Sequence, residues 1–532
     1  MAESRRAFSP SLRKLNASRT KPPMEIPPAG SPSRNGNSPI PAGARRVLIL
    51  LVLISMFNYV DRQILSAVLP VIEHVPEFGF IGDPNPKFWK NLLTTAFLVS
   101  YMITAPLFGW VGDRIGRRWG LVGLAVMFWS LISGASGLAM TYNMLFLTRC
   151  LIGVGEGAFG PVGMAILTDV YPRHKRGFVI GIVSSMIPVG SAIGFALGTL
   201  VAGTSLFGLV PKEQAWRWPF FLVVAPGLLL GLICFLMPEP KRGQSEGQLE
   251  PMAKVSAWRA IGICLRTPSY VLSTGGYTAM TFVTGGIAAV IIDYAYERQS
   301  VYEINEPTLS YLREHAPSLA EHLAPFVGRR FESSDVFKHA LRDVVPHADL
   351  APNWVKIKEL SRTSGSGDLS DLGLYFGVII VIGGLTATLF GSWLADRLRS
   401  RIPSSDFLVS AIGGLIGLPL LLAFLYVPFP YAWWILFLAV FGLFLNTGPV
   451  NTILANVTAP TIRATAFALN IFLLHALGDV ISPPIIGAVT DRFDWITAVL
   501  VVSGMVLVAS LLWFWGMRYL KRDMEIALER VK

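Results

Sequence analysis

From residue 46 to residue 519 the chain alternates long apolar runs with short polar loops rich in arginine. A bilayer core about 30 Å thick is crossed by a helix of roughly 20 predominantly apolar residues. The runs of that length predict twelve spans, at 46–72, 91–112, 119–139, 143–169, 177–203, 218–238, 269–296, 373–396, 406–427, 432–457, 463–489 and 495–519. Three segments break the rhythm. Residues 1–45 are rich in Pro, Ser, Arg and Asn and lack an apolar h-region, so a disordered basic tail is expected rather than a cleaved signal peptide. The polar stretch 239–268 parts the spans into six and six and suits a linker with a surface-lying helix. The stretch 298–371 reads as an external insertion, helical around Leu309–Leu323 and Phe331–Val345, ending in a flexible Ser-Gly run at Thr363–Gly367. The resulting organisation is a six-helix bundle over 46–238, a second over 269–520, and a short tail at 521–532.

Composition agrees with this pattern. Only 15% of the 532 residues are charged, 52% are hydrophobic, and the mean hydropathy is +0.53. Soluble proteins carry about 25% charged residues, so an all-α integral membrane protein is expected. The net charge of +11 falls in loops between spans, which fits membrane topology and not a nucleic-acid stripe. The loops at Arg114–Arg118, Arg173–Arg176, the linker and Arg397–Arg401 share one side if every run crosses. By the positive-inside rule that side is the cytoplasm, with both termini. Cys150, Cys234 and Cys264 lie in or beside spans without metal-ligand spacing, so neither zinc nor a disulfide framework is implied.

The halves echo one another. Gly109-Trp-Val-Gly-Asp113-Arg114 closes the second span, as Gly391-Ser-Trp-Leu-Ala-Asp396-Arg397 closes the eighth. Gly160-Pro161-Val162 returns as Gly448-Pro449-Val450, and Pro172 before Arg176 as Pro460 before Arg463. Such repeats mark transporters that rock one bundle against the other around a central site, here as two bundles related by a pseudo-two-fold axis.

Charges inside the spans are the candidate chemistry. One ionised group at the bilayer centre costs about 2.5–3.5 kcal/mol on insertion scales, so each needs a partner or a watery cavity. Arg149 and Glu156 are two helical turns apart on the fourth span and share a face. Adjacent Asp61 and Arg62 point about 100° apart, so one faces a cavity while the other pairs with another helix. A desolvated carboxylate near a movable cation gains and loses a proton as conformation changes, which makes Asp61 and Glu156 the candidate proton carriers. The alternative is a structural interhelical bridge that never titrates. Arg149 is the candidate clamp for an anionic headgroup or for Glu156. Asn58, Tyr59, Arg62, Asn446 and Asn451 are candidate polar lining, and His475 with Asp479, four apart, forms a local pair or a relay. Gly155-Glu-Gly157-Ala-Phe-Gly160 spells a dinucleotide fingerprint but lies inside a span, and no Gly-Lys-Ser phosphate loop occurs. No catalytic constellation stands out, so no enzyme activity and no cofactor are expected.

Gly109-Trp-Val-Gly-Asp113-Arg114-Ile-Gly116-Arg117-Arg118 resembles the loop signature of the major facilitator superfamily. The resemblance implies a latch on the cytoplasmic gate, with Gly109, Asp113, Arg114 and Arg117 in one copy and Asp396 and Arg397 in the second, where Ser400 replaces a glycine. Asn58-Tyr59-Val-Asp61-Arg62, Arg149 with Gly-Val-Gly-Glu156-Gly, and Asp169-Val-Tyr-Pro-Arg-His-Lys-Arg176-Gly resemble the spinster branch, most strongly over 58–198. This implies a bacterial-like, monomeric transporter in a bacterial plasma membrane. Its expected partners are the lipid bilayer, protons and an amphipathic anion of lysophospholipid or sphingosine 1-phosphate type. A small organic anion or drug is the alternative substrate, and a receptor or scaffold the alternative class.

Overall fold

In the first half, the first three spans are single helices, α1 (Ala44–Ile72), α2 (Pro86–Arg114) and α3 (Arg118–Gly137). The next three are each built of two pieces: α4 (Tyr142–Glu156) with α5 (Phe159–Val170), α6 (Arg173–Ser184) with α7 (Met186–Gly203), and α8 (Trp218–Leu222) with α9 (Val224–Leu236). The short α10 (Ala257–Leu265) precedes the second half. There follow α11 (Pro268–Gln299), the helices α12 (Glu306–His315), α13 (Pro317–Leu323) and α14 (Ser334–Arg342) of the insertion, then α15 (Leu369–Leu398) and α16 (Ser405–Phe424). The chain continues through α17 (Tyr431–Phe444) with α18 (Thr447–Val457), α19 (Arg463–Leu474) with a π-helical turn at His475–Asp479, α20 (Trp495–Gly516) and α21 (Leu520–Glu525). The structure is a computed structural model. It describes residues 43–72, 78, 86–203, 211–246, 255–299, 301–331, 334–345, 353, 356, 357, 360, 361, 363, 369–482, 485, 486, 489 and 495–531. The basic tail before residue 43 and the Ser-Gly run at 364–367 lie outside the described residues.

Ten helical stretches among the described residues are long and apolar enough to cross a membrane. With α11 and α19 in the seventh and eleventh places, the chain has the twelve-helix arrangement expected. The two-piece spans have a common cause. A proline removes the N–H that would bond the carbonyl four residues earlier and crowds that carbonyl. Pro161, Pro188, Pro226 and Pro449 each stand four residues after the last helical residue or the first turn residue of a break, at Gly157, Ser184, Leu222 and Leu445.

Within the halves, α1 packs on α7, α2 on α4 and α3 on α9, while α11 packs on α20 and α16 on both α17 and α20. Backbones come close where glycine allows it: a side chain at Gly194 would run into the Val60 carbonyl of α1. The halves meet along α2 with α19 and α5 with α19, and along α6 with both α15 and α18. The insertion has its own small core of Tyr302, Leu309, Leu312, Phe331 and Phe337. It also holds an antiparallel pair, β1 (Tyr302–Glu303) with β2 (Arg330–Phe331), in the register Tyr302 to Phe331. Helical patterning did not anticipate those strands. The expected helix Leu309–Leu323 is broken before Pro317, which starts α13.

Candidate functional site

A cavity of about 170 Å³ lies where α1, α2, the α4–α5 junction, α6–α7, α11, α18 and α19 converge. Asn58, Tyr59, Arg62, Tyr101 and Glu156 line one wall, and Tyr277, Asn451, Asn470 and His475 the other. Apolar side chains such as Leu51, Phe159, Phe467 and Leu474 line much of the remainder, with the hydroxyls of Ser55 and Ser184. Ligand pockets usually enclose about 300 Å³ or more, so this conformation has room for a headgroup and not for a whole lipid.

Arg62 Nε donates to Glu156 Oε2 at 2.6 Å. The Glu156 side chain is 0% exposed and that of Arg62 16%, so the cation is the member of the pair nearer the open space. The Arg62 guanidinium sits against three rings, 4.9 Å from the centroids of Tyr59 and Phe97 and 4.7 Å from that of Tyr101. Such faces attract a cation without neutralising it. The Asn58 side chain adds a hydrogen-bonding interaction to the buried Glu156 carboxylate. The cavity wall therefore holds one caged cation and one buried carboxylate, supported by that cation and by the Asn58 amide.

Asp61 turns the other way, into the first bundle, where it accepts a hydrogen bond from Ser133 Oγ of α3. One turn along α3, Ser136 Oγ accepts from Arg149 at 2.7 Å, and Ser136 also donates to Thr148 at 2.9 Å. Asp61 Oδ2 and Arg149 Nε have no hydrogen-bond partner. Arg149 thus differs from expectation. It is buried behind the cavity, it does not line it, and Glu156 is held by Arg62 instead. The reason is axial distance. Seven residues of helix separate Arg149 from Glu156 by about 10 Å, whereas Arg62 approaches Glu156 from the neighbouring span.

On the opposite wall, His475 Nδ1 lies 2.9 Å from Asp479 Oδ2 across the π-helical turn, so the local pair forms. Its ring meets Tyr101 edge-on with centroids 5.6 Å apart, which joins it to the ring cage of Arg62. Asn451 faces the cavity and donates to Thr447 O at 2.8 Å. Asn446 does not face it. Its amide is turned to the Leu443 carbonyl at the α17–α18 break, where the broken helix leaves acceptors to satisfy.

The end of the bundles that carries the Arg114–Arg118 loop is closed by two crossed sets of contacts. Asp113 Oδ1 accepts from Ala464 N at 3.0 Å, and its Oδ2 from Thr465 N and Oγ1 at 2.7 and 2.6 Å, so an α2 carboxylate caps the N-terminus of α19. In the second copy Asp396 Oδ2 accepts from Phe178 N of α6 at 2.8 Å. Gly109 makes this approach possible, since a Cβ there would lie 2.5 Å from Ala468 Cβ and 2.7 Å from Ala464 O. Deeper in, Arg463 donates to Asp169 at 3.0 Å and Arg176 to Asn456 at 3.1 Å, each across the two bundles. The expected latch cations differ from this arrangement. Arg117 is exposed and reaches Phe235 O of its own bundle; Arg114 stacks on Trp110 and donates to Val255 O. Arg397 is exposed, and Arg399 takes the bridging place, bonding Asp396, Asp406 and the Arg173 carbonyl. Burial disfavours the Arg399 charge, but Asp406 and Asp396 outweigh that and hold its pKa above the ordinary value.

The family model of the Major Facilitator Superfamily matches residues 51–312. Protein spinster homolog 1 of Homo sapiens is 31% identical over 462 residues, covering 85% of this chain and 74% of that protein. The chain belongs to the spinster family. Protein spinster homolog 3 of Danio rerio is 29% identical, over 88% of this chain and 81% of its own length. Among solved structures, a bacterial homologue of the human lysosomal transporter spinster, inward-facing and unoccupied, matches with a TM-score of 0.55 at 19% identity over 90% of this chain and 98% of that one. The E. coli fucose:proton symporter matches with a TM-score of 0.61 at 14% identity over 89% and 99%. Both are likenesses of fold, and they place the two six-helix bundles in the major facilitator arrangement.

Within this spinster-family chain, sequence reading missed Tyr101, Ser133, Ser136, Tyr277 and Asn470. These are ordinary helix residues with no charge to draw attention. Arg118, Asp169, Arg176 and Arg463 make buried contacts that their motifs do not announce. Asp169, Arg176 and Arg463 share a signal that is a repeat of its own: Asp169-Val170 precedes Arg176 by seven residues, as Asn456-Val457 precedes Arg463.

Proposed function

We propose that this protein is a secondary active transporter that moves an amphipathic, lipid-like anion of lysophospholipid or sphingosine 1-phosphate type by alternating access, coupled to protons. The observation that carries the reading is the Arg62–Glu156 pair on the cavity wall, with the cation toward the open space. A substrate phosphate entering the cavity competes with Glu156 for Arg62. Protonation of Glu156 releases Arg62 for the anion; once the anion departs, Glu156 gives up its proton to the open side and Arg62 returns to the carboxylate. Asp61, behind it with Ser133 and Arg149, is the second proton site, and Asn58, Tyr59, Asn451 and His475 supply hydrogen bonds to the headgroup. Apolar Phe159, Phe467 and Leu474 suit the start of an acyl chain.

The crossed contacts of Asp113 and Asp396 form the gate, which lies on the cytoplasmic side in this reading, with both termini there and the chain in a bacterial plasma membrane as a monomer. The 170 Å³ cavity then represents a closed stage of the cycle. The bacterial structure described as a homologue of a human lysosomal transporter shares the fold, and its description names no substrate. Competition binding on purified protein tests the substrate class. Lysophospholipid displaces a bound fluorescent lysolipid, and Arg62→Ala abolishes the displacement. Displacement by short organic anions with indifference to lysolipids would assign a small anion instead, and the absence of counterflow in proteoliposomes would favour a scaffold.

A further inference from the structure

We propose that α10 is a docking site for anionic phospholipid headgroups of the leaflet it borders, placed to act on the gate. The helix is fixed on one side: Ala260 and Cys264 are buried, as are the flanking Val255 and Thr267, and α10 packs on α11 and α19. Its N-terminus is capped by Ser256, which accepts from Arg259 N. The other side carries two parallel stripes. Trp258 and Leu265 are seven residues apart and 84% and 53% exposed, with Gly262 between them. Arg259 and Arg266, also seven apart and exposed, form a second stripe about 100° round the helix. Among the described residues neither arginine pairs with a carboxylate.

An exposed tryptophan and leucine beside two exposed guanidinium groups are the pattern of a helix lying in a membrane interface. The apolar stripe enters the acyl boundary, and the arginines sit at phosphate level, where a guanidinium fork binds two phosphate oxygens. Free phosphate offers the same oxygens but nothing for the apolar stripe, so the geometry favours the lipid. Position gives the site its consequence. Arg114, beside the gate carboxylate Asp113, donates to Val255 O immediately before α10, and α19, against which α10 packs, is the helix that Asp113 caps. A headgroup held on α10 steadies both partners of that contact.

The test uses the full chain in nanodiscs of phosphatidylcholine, with and without phosphatidylglycerol, read by hydrogen exchange over residues 255–267 and by native mass spectrometry of retained lipid. The expected result is slower exchange and retained phosphatidylglycerol in the anionic discs only. One arginine near an anionic surface contributes about five-fold in affinity, so Arg259→Gln/Arg266→Gln retains phosphatidylglycerol roughly twenty-five-fold more weakly. Equal exchange in both discs, or undiminished retention by the double variant, overturns the proposal. So does protection of the same segment by inorganic phosphate in phosphatidylcholine discs. Should the variant misfold, raising salt on the wild type decides, since headgroup attraction is screened and the protection must fall. Persistence of the protection in high salt would leave only neutral apolar burial and overturn the headgroup assignment.

Discussion

Glu156 is fully buried and its hydrogen-bonded partner is a cation from another span, so the two halves of the pair differ in what their loss does. Arg62→Ala leaves an unpaired carboxylate in a dry wall, which costs about 3–5 kcal/mol. A fall in melting temperature is expected in that variant, and most of it should return in Arg62→Ala/Glu156→Gln, where no charge is stranded; a double variant as unstable as the single one would contradict the pairing. Much of this was legible in the sequence. The costly charges at Asp61, Arg62, Arg149 and Glu156 stand out in apolar spans, and the angle between adjacent helical residues already required Asp61 and Arg62 to serve different neighbours. The identity of the partners was not legible. Arg149 and Glu156 are visible together because they share a helix, but the bond that forms joins residues 94 positions apart and depends on how α1 leans on the α4–α5 junction. Asn446 misled for a related reason: its amide is occupied by a helix break that only Pro449, four residues beyond Leu445, betrays.

Helix ends make the proposed gate, where Asp113 receives two amides of α19 and a threonine hydroxyl. Hydrogen bonds to a charged group contribute about 1.5–3 kcal/mol, so Asp113→Asn is expected to open this end roughly ten- to a hundredfold more often. Ser392, buried against Gly181 and Gly448 in the inter-bundle contact, reports it: a cysteine placed there should react faster with a water-soluble maleimide in the Asp113→Asn background. An unchanged labelling rate would remove Asp113 from the gate. Gly109→Leu acts by shape, since no space exists between α2 and the Ala464–Ala468 turn, and it should raise the same labelling rate. The loop motif announced these elements. The division of labour within it was hidden, because Arg114, Arg117 and Arg118 look alike in sequence, and only packing sends Arg118 inward to Asp169 and leaves Arg117 exposed.

At the scale of the whole molecule, the duplicated halves hold each other by exchange: Arg463 of the second reaches Asp169 of the first, and Arg176 of the first reaches Asn456 of the second. The exchange is unequal, because one acceptor is a carboxylate and the other an amide. Asn456→Asp completes a second ion pair, so it should hold the bundles closed longer and slow turnover while raising the melting temperature; faster turnover would show that this contact does not limit opening. Twelve spans and the six-plus-six repeat were readable from hydropathy and motif order, whereas the crossed pairing needed both bundles in place. The central claim is that proton occupancy of Glu156 governs whether Arg62 is free for an anion. Its most direct test is uptake of a lysophospholipid into proteoliposomes with and without a pH gradient, for wild type and Glu156→Gln. The account predicts gradient-driven accumulation by the wild type, and in the variant binding and counterflow without any response to the gradient. Gradient-driven accumulation that survives in Glu156→Gln would contradict it.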